Sequence, residues 1–149
     1  MDDEATAALN ACEYLFLSEI EEMDYNGLRL VVKEGRRVGD SQPLHVGDAT
    51  ISGGTRINIP GESAAFELVW KRYVAYSVLN ESFAAVDDEE RYTGNRLRLY
   101  SKSHFIDYVS RSSFACAEYP GPTQHVAVVC ENHIIDVIAV TTPVVQRLP

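Results

Sequence analysis

The chain has 149 residues, 46% hydrophobic and 23% charged, with a formal net charge of −9 at pH 7. That length fits one domain, residues 1–149, with a core large enough to need neither disulfide nor metal staples, and the acidic balance excludes general binding to a phosphate backbone, which a basic face must meet. The charge is concentrated: residues 1–24 hold eight acids (Asp2, Asp3, Glu4, Glu13, Glu19, Glu21, Glu22 and Asp24) and no Lys or Arg.

Behind the first three of those acids, residues 5–11 can make a short helical turn, since carboxylates favour a helix N-terminus. From Cys12 to Ile20 the pattern alternates with period two, which predicts a strand with Tyr14, Phe16 and Ile20 on one face and Glu13, Leu15, Leu17 and Glu19 on the other. Leu28 to Lys33 alternates likewise, and Asn26-Gly27 signals a hairpin between the two runs. A two-residue turn would oppose the apolar face of one strand to the polar face of the other. A three-residue loop, Tyr25-Asn26-Gly27, restores the match and sets Ile20 opposite Val32, with Gly27 in the left-handed position.

Residues 34–62 are rich in Gly and Pro and predict loop, with short strands near Ala49–Ile51 and Thr55–Ile59. From Phe66 to Val78 the even positions give an apolar face broken at Arg72, so a bulge or bend is expected near Lys71-Arg72. An acidic turn, Asp87-Asp88-Glu89-Glu90, precedes a strand from Arg96 to Tyr100. Arg96 and Arg98 are expected on its solvent face, meeting those acids. Ser103 to Arg111 reads as the one main amphipathic helix: Ser103 caps it, Asp107 and Arg111 match its dipole, and Phe105, Ile106, Tyr108 and Val109 form its stripe. Val126–Cys130 and Ile134–Val140 predict a second hairpin, apolar on both faces, and Val144-Val145 an edge strand. The fold class expected is α+β, a mostly antiparallel sheet or two-layer β structure with that one helix.

Three cysteines, Cys12, Cys116 and Cys130, are an odd number with no C-x-x-C spacing. They predict free thiols in a reducing compartment. The acidic start lacks the basic and apolar regions of a secretory signal, and no apolar run is long enough to span a bilayer, so a cytoplasmic protein without membrane association is expected.

The candidate chemistry is sparse. Asp136 shares a strand face with Ile134 and Ile138, and His125 and His133 stand at the two ends of the same hairpin; a His with a carboxylate can do general acid and base work. The structural alternative is a polar residue at a strand edge. Metal-ligand spacing is absent from His104, Cys116, His125, Cys130 and His133, and no phosphate loop or nucleophile elbow is present, so no metal and no cofactor are expected.

The acidic hairpin carries the leading expectation. If Tyr14, Phe16 and Ile20 face the core, then Glu13, Leu15, Leu17, Glu19 and Glu21 form an outer row, two leucines within a charged rim, which suits a protein interface. The alternative is that the leucines are covered and the acids are a solvated margin. The expected function is an acidic protein-binding module for a basic protein, with no nucleic-acid partner. In size and charge it is similar to immunity proteins that neutralise cationic nuclease toxins. The alternative from another class is a small-ligand-binding protein or hydrolase-like enzyme using His125, His133 and Asp136. The sequence does not fix an oligomeric state.

Overall fold

The computed structural model describes residues 3–85 and 87–149, with the backbone alone at Asp40, Gln42 and Leu44; Asp2 of the acidic segment lies outside the described residues. The first sheet holds β1 (Tyr14–Met23), β2 (Gly27–Val46), β4 (Ala65–Trp70) and β10 (Val144–Arg147), in that order, with β3 (Ala49–Asn58) also on β2. The second has β5 (Tyr73–Asn80), β9 (His133–Ala139), β8 (Gln124–Val129), β7 (Leu97–Lys102) and β6 (Arg91–Thr93), in that order. Every strand pairing among the described residues is antiparallel. With helices α1 (Glu4–Ala11) and α2 (His104–Ser112), the α+β, mostly antiparallel expectation is met.

The two sheets share one core because each presents an apolar alternation. Leu28, Leu30 and Val32 of β2 and Phe66, Leu68 and Trp70 of β4 meet Leu97, Val126, Val128, Ile135, Val137 and Ala139 of the second sheet. The Leu, Ile, Val and Phe side chains among them each contribute about 1.5 to 3 kcal/mol on full burial. The expected break at Lys71-Arg72 is larger than a bend: there the chain leaves the first sheet as β4 and enters the second as β5.

The helices differ from expectation. α1 is a full helix, its N-terminus capped by the Asp3 carboxylate, which accepts from the Thr6 N–H at 2.8 Å. That hydrogen bond lowers the Asp3 pKa. α1 inserts Leu9 into the shared core, with Ala5 and Ala8 beside it. α2 has the predicted cap, Ser103, and a comparable length, yet it buries only Val109, leaves Tyr108 exposed and lies against β8 and β9 outside that core. It is one of two helices rather than the main one.

The first hairpin corrects the strand faces. Its loop has three residues, as expected, but they are Asp24, Tyr25 and Asn26; Tyr25 and Asn26 take left-handed φ, Gly27 does not, and Ile20 faces Leu30 rather than Val32. The register then slips between Leu17 and Glu19, leaving Ser18 as a bulge. Leu15 and Leu17 therefore share the inner face with Ile20. Leu15 is fully buried and Leu17 packs on the core. The Asn132 side chain holds the bulge: its Oδ1 accepts from the Leu17 N–H at 2.9 Å and its Nδ2 donates to the Leu17 carbonyl at 3.1 Å.

The segment expected to be loop with two short strands is instead a long ribbon: both short strands merge into one continuous β3, and residues 36–46, expected as loop, continue β2. β2 runs on past Gly35, where its pairing with β1 ends, and β3 returns along it through a two-residue turn, Gly47-Asp48. Gly47, at φ +59°, occupies the left-handed first position that such a turn requires. Pro43 is tolerated because it falls at a register shift between Gln42 and Leu44, where the β2 edge away from β3 has no partner strand among the described residues. Residues described from Arg36 to Gly54 are exposed.

Candidate functional site

The outer face of the second sheet gathers the polar groups. Register puts Arg98 and Tyr100 of β7, His125 and Ala127 of β8, and Ile134, Asp136 and Ile138 of β9 on that face. Asp136 is directly opposite Ala127, and His125 is its diagonal neighbour, within side-chain reach across the strands.

His125 is 1% exposed and fully engaged. Its Nδ1 lies 2.7 Å from Ser103 Oγ and its Nε2 lies 2.9 Å from Asp136 Oδ1. Ser103 Oγ also accepts from the Ile106 N–H at 3.0 Å, as the cap of α2. With the Ser103 hydroxyl donating to Nδ1 and Nε2–H donating to the carboxylate, each of these polar groups is satisfied. Tyr100 stacks on the imidazole at 4.2 Å between centroids, and Phe105 meets it edge-on at 5.6 Å. Burial raises the Tyr100 pKa.

Composition alone would suggest a Ser-His-Asp catalytic set, and access argues against it. Ser103 is 2% exposed, so its hydroxyl is sealed beneath the helix it caps. Asp136 is the member that reaches a cavity, of about 360 Å³, floored by Leu79, Ile134, Arg98 and Tyr100 and walled by Glu81, Asp87 and Glu90 from the segment joining β5 to β6. The Arg98 guanidinium lies over the Tyr92 ring at 4.3 Å rather than on the acids of that segment, and Arg96 turns the other way, pairing with Glu131 at 3.0 Å and donating to the Cys12 carbonyl. The acids instead meet α2: the His104 N–H donates to Glu90 at 3.0 Å, and the His104 ring pairs with Asp87 at 2.8 Å.

Of the three C-terminal candidates the structure unites two. His133 lies opposite Asn80 on the other face of β9, away from Asp136, with its buried Nδ1 unsatisfied among the described contacts. Ser103, Tyr100 and Tyr92 complete the site. Ser103 is legible in the sequence only as a helix cap. The alternation of Arg98 and Tyr100 would have placed both on one face, but pairing with the strand carrying His125 is not readable from either segment.

The hairpin candidates are not an apolar centre within an acidic rim. Leu15 and Leu17 point inward. Glu19 and Glu21 lie outside, both against the Arg29 guanidinium at 2.8 and 3.4 Å, which also pairs with Glu67 at 2.6 Å and has its pKa raised by these partners. Glu13 pairs with Arg37 at 3.0 Å. Much of the predicted row is thus neutralised within the chain.

Comparison with protein-family models, curated proteins and solved structures finds no match.

Proposed function

We propose that the protein is a small-ligand-binding module whose site is the cavity over the outer face of the second sheet, and that Asp136 receives the cationic end of the ligand. The observation that carries this reading is the orientation of the Asp136 carboxylate: one oxygen is fixed by a buried imidazole and the carboxylate borders the cavity. Such a group is preorganised to accept a charge-assisted hydrogen bond, and a cavity of about 360 Å³ lies in the range of small-ligand sites. Glu81, Asp87 and Glu90 outnumber Arg98 in the lining, so the field there favours a cation, while Tyr92 and Tyr100 offer it an aromatic wall.

The arrangement supports binding better than hydrolysis, because the one hydroxyl in the relay is enclosed. A basic protein partner keeps the net charge of −9 as its support. With the leucines inside, an immunity-type contact would use this same cavity, entered by a Lys or Arg side chain of the partner.

Benzamidine and its neutral analogue benzamide provide the test, titrated into isotope-labelled protein. Saturable shifts at Tyr92, Arg98 and Asp136 with benzamidine alone, weakened in Asp136→Asn, are the expected result. Equal binding of the two compounds, or shifts mapping elsewhere, would overturn the reading.

A further inference from the structure

A second cavity, of about 420 Å³, opens where the chain crosses between the sheets, and its chemistry is opposite to that of the first. Lys71 and Arg72 contribute its charged side chains; no carboxylate lines it. Neither of these two cations joins an ion pair among the described residues, so both are available to a ligand. Their positions are constrained from both sides. Trp70 before them is buried in the shared core, and Tyr73 after them packs against it.

The facing wall is aromatic. Phe114 and Tyr119, from the loop after α2, stack with centroids 6.1 Å apart and planes within 13°, although they are 82% and 53% exposed. The two exposed rings lie side by side and so form a contiguous apolar surface rather than isolated exposed residues. The loop is closed on itself: the Cys116 N–H donates to the Tyr119 carbonyl at 2.8 Å, and the Tyr119 and Gly121 N–H groups donate to the Cys116 carbonyl at 3.2 and 3.3 Å. The one acid on this loop, Glu118, has its pKa lowered by the neighbouring Cys116 thiol, and it does not line the cavity.

We propose that this cavity is a second binding site, and that its ligand is a small planar aromatic anion, with the anionic group on Lys71 and Arg72 and the ring against Phe114 and Tyr119. Two adjacent cations supply charge-assisted contacts to a carboxylate or sulfonate, and the ring pair supplies a flat apolar surface. The volume suits a molecule of two fused rings. A long polyanion is disfavoured by the surrounding net charge of −9, whereas a monoanion needs only its local pair of cations.

Calorimetric titration of the full chain with 2-naphthoate, 2-naphthamide and cyclohexanecarboxylate tests the two requirements separately. Naphthoate is expected to bind one to one. Loss of either the charge or the flat ring should weaken binding at least about tenfold, a difference calorimetry resolves. Lys71→Gln combined with Arg72→Gln, and separately Phe114→Ala, should each cause a similar loss while the melting temperature stays within that of the parent. Asp136→Asn should leave naphthoate binding unchanged, which separates this site from the acidic one. No binding of naphthoate at millimolar concentration, naphthamide binding as tightly, or full binding by both sets of variants would overturn the proposal.

Discussion

Leu17 and Glu19 stand two residues apart on β1, and their side chains leave opposite faces of the sheet: Leu17 faces inward opposite Val32, and Glu19 turns outward to Arg29. In an uninterrupted strand, residues two apart share a face. The bulge at Ser18 changes the phase, and through it both leucines face the core and both glutamates face solvent.

Leu15→Ala should therefore destabilise the fold by about 2 to 5 kcal/mol in urea denaturation, the range for a fully buried leucine. Glu19→Gln and Glu21→Gln should shift the midpoint far less, since their contact with Arg29 is at the surface. A Leu15→Ala midpoint close to the parent would show that this residue is not in the core.

Asn132 is expected to be as important as a core residue. Replacing it with Leu removes the partners of both backbone groups of Leu17, and each buried group left unsatisfied costs about 1 to 3 kcal/mol. Asn132→Asp, which keeps the acceptor and loses the donor, should fall between Leu and the parent in thermal denaturation.

Much of the architecture is visible in the sequence because it is local. The alternations in β2 and β4, the apolar runs of β8 and β9, the Ser103 cap and the interruption at Lys71-Arg72 all declare themselves within a few residues. The bulge also leaves a trace, since Leu15, Leu17 and Ile20 change parity across Ser18, but the same letters fit a regular strand if Tyr14 and Phe16 are taken as the inner pair. What decides between them is Asn132, 115 positions from Leu17, and no local rule supplies it. The long ribbon was hidden by its composition, because Gly and Pro mark loops unless an unpaired edge accommodates them. At the candidate site, His125 and Asp136 are adjacent in one hairpin and legible, whereas Ser103 and Tyr100 join them through pairing of β7 with β8.

Ser103→Ala should lower stability by about 1 to 3 kcal/mol, because it removes the cap of α2 and leaves His125 Nδ1 without its partner. Ser103→Thr retains the hydroxyl and should recover part of the loss. Ring-nitrogen chemical shifts of His125 would report the broken contact directly: they should change in Ser103→Ala even at temperatures where the protein is fully folded.

The contact between His104 and Asp87 makes the wall of the acidic cavity sensitive to pH. Asp87, with help from Glu90 and Glu89, raises the His104 pKa above its ordinary 6.5, and stabilisation from this pair is complete below that value and lost as pH rises through the raised one. The Glu89 N–H, and after it His104, lower the Asp87 pKa from 3.8, so that contribution is present above 3.8 and lost as pH falls through the lowered value. The segment should therefore dock on α2 most firmly between 3.8 and 6.5 and loosen as pH rises through the raised His104 value. An NMR titration of the His104 ring should give a midpoint above 6.5 that moves back in Asp87→Asn.

The three thiols should separate by reactivity. Cys116 is exposed, whereas burial pushes the Cys130 thiol up to about 12 and raises that of Cys12. Alkylation of the native protein at mildly alkaline pH should modify Cys116 alone, with the other two following only in denaturant. Early labelling of Cys130 in the native state would contradict its burial.

The continuity of β2 places one strand in two regimes of cooperativity. Its first half is bonded on both edges and lies over the core, while the half beyond Gly35 belongs to a two-stranded ribbon reaching roughly 35 Å at the usual rise per residue. A two-stranded ribbon is marginal without further packing. Amide protons from Leu28 to Lys33 should thus exchange only through global unfolding, and those past Arg36 through a local opening that leaves Trp70 in its buried environment. On heating, the ribbon would detach and fray first with no change in tryptophan emission, so that a single uninterrupted strand would contain the boundary between the last part of the protein to melt and the first.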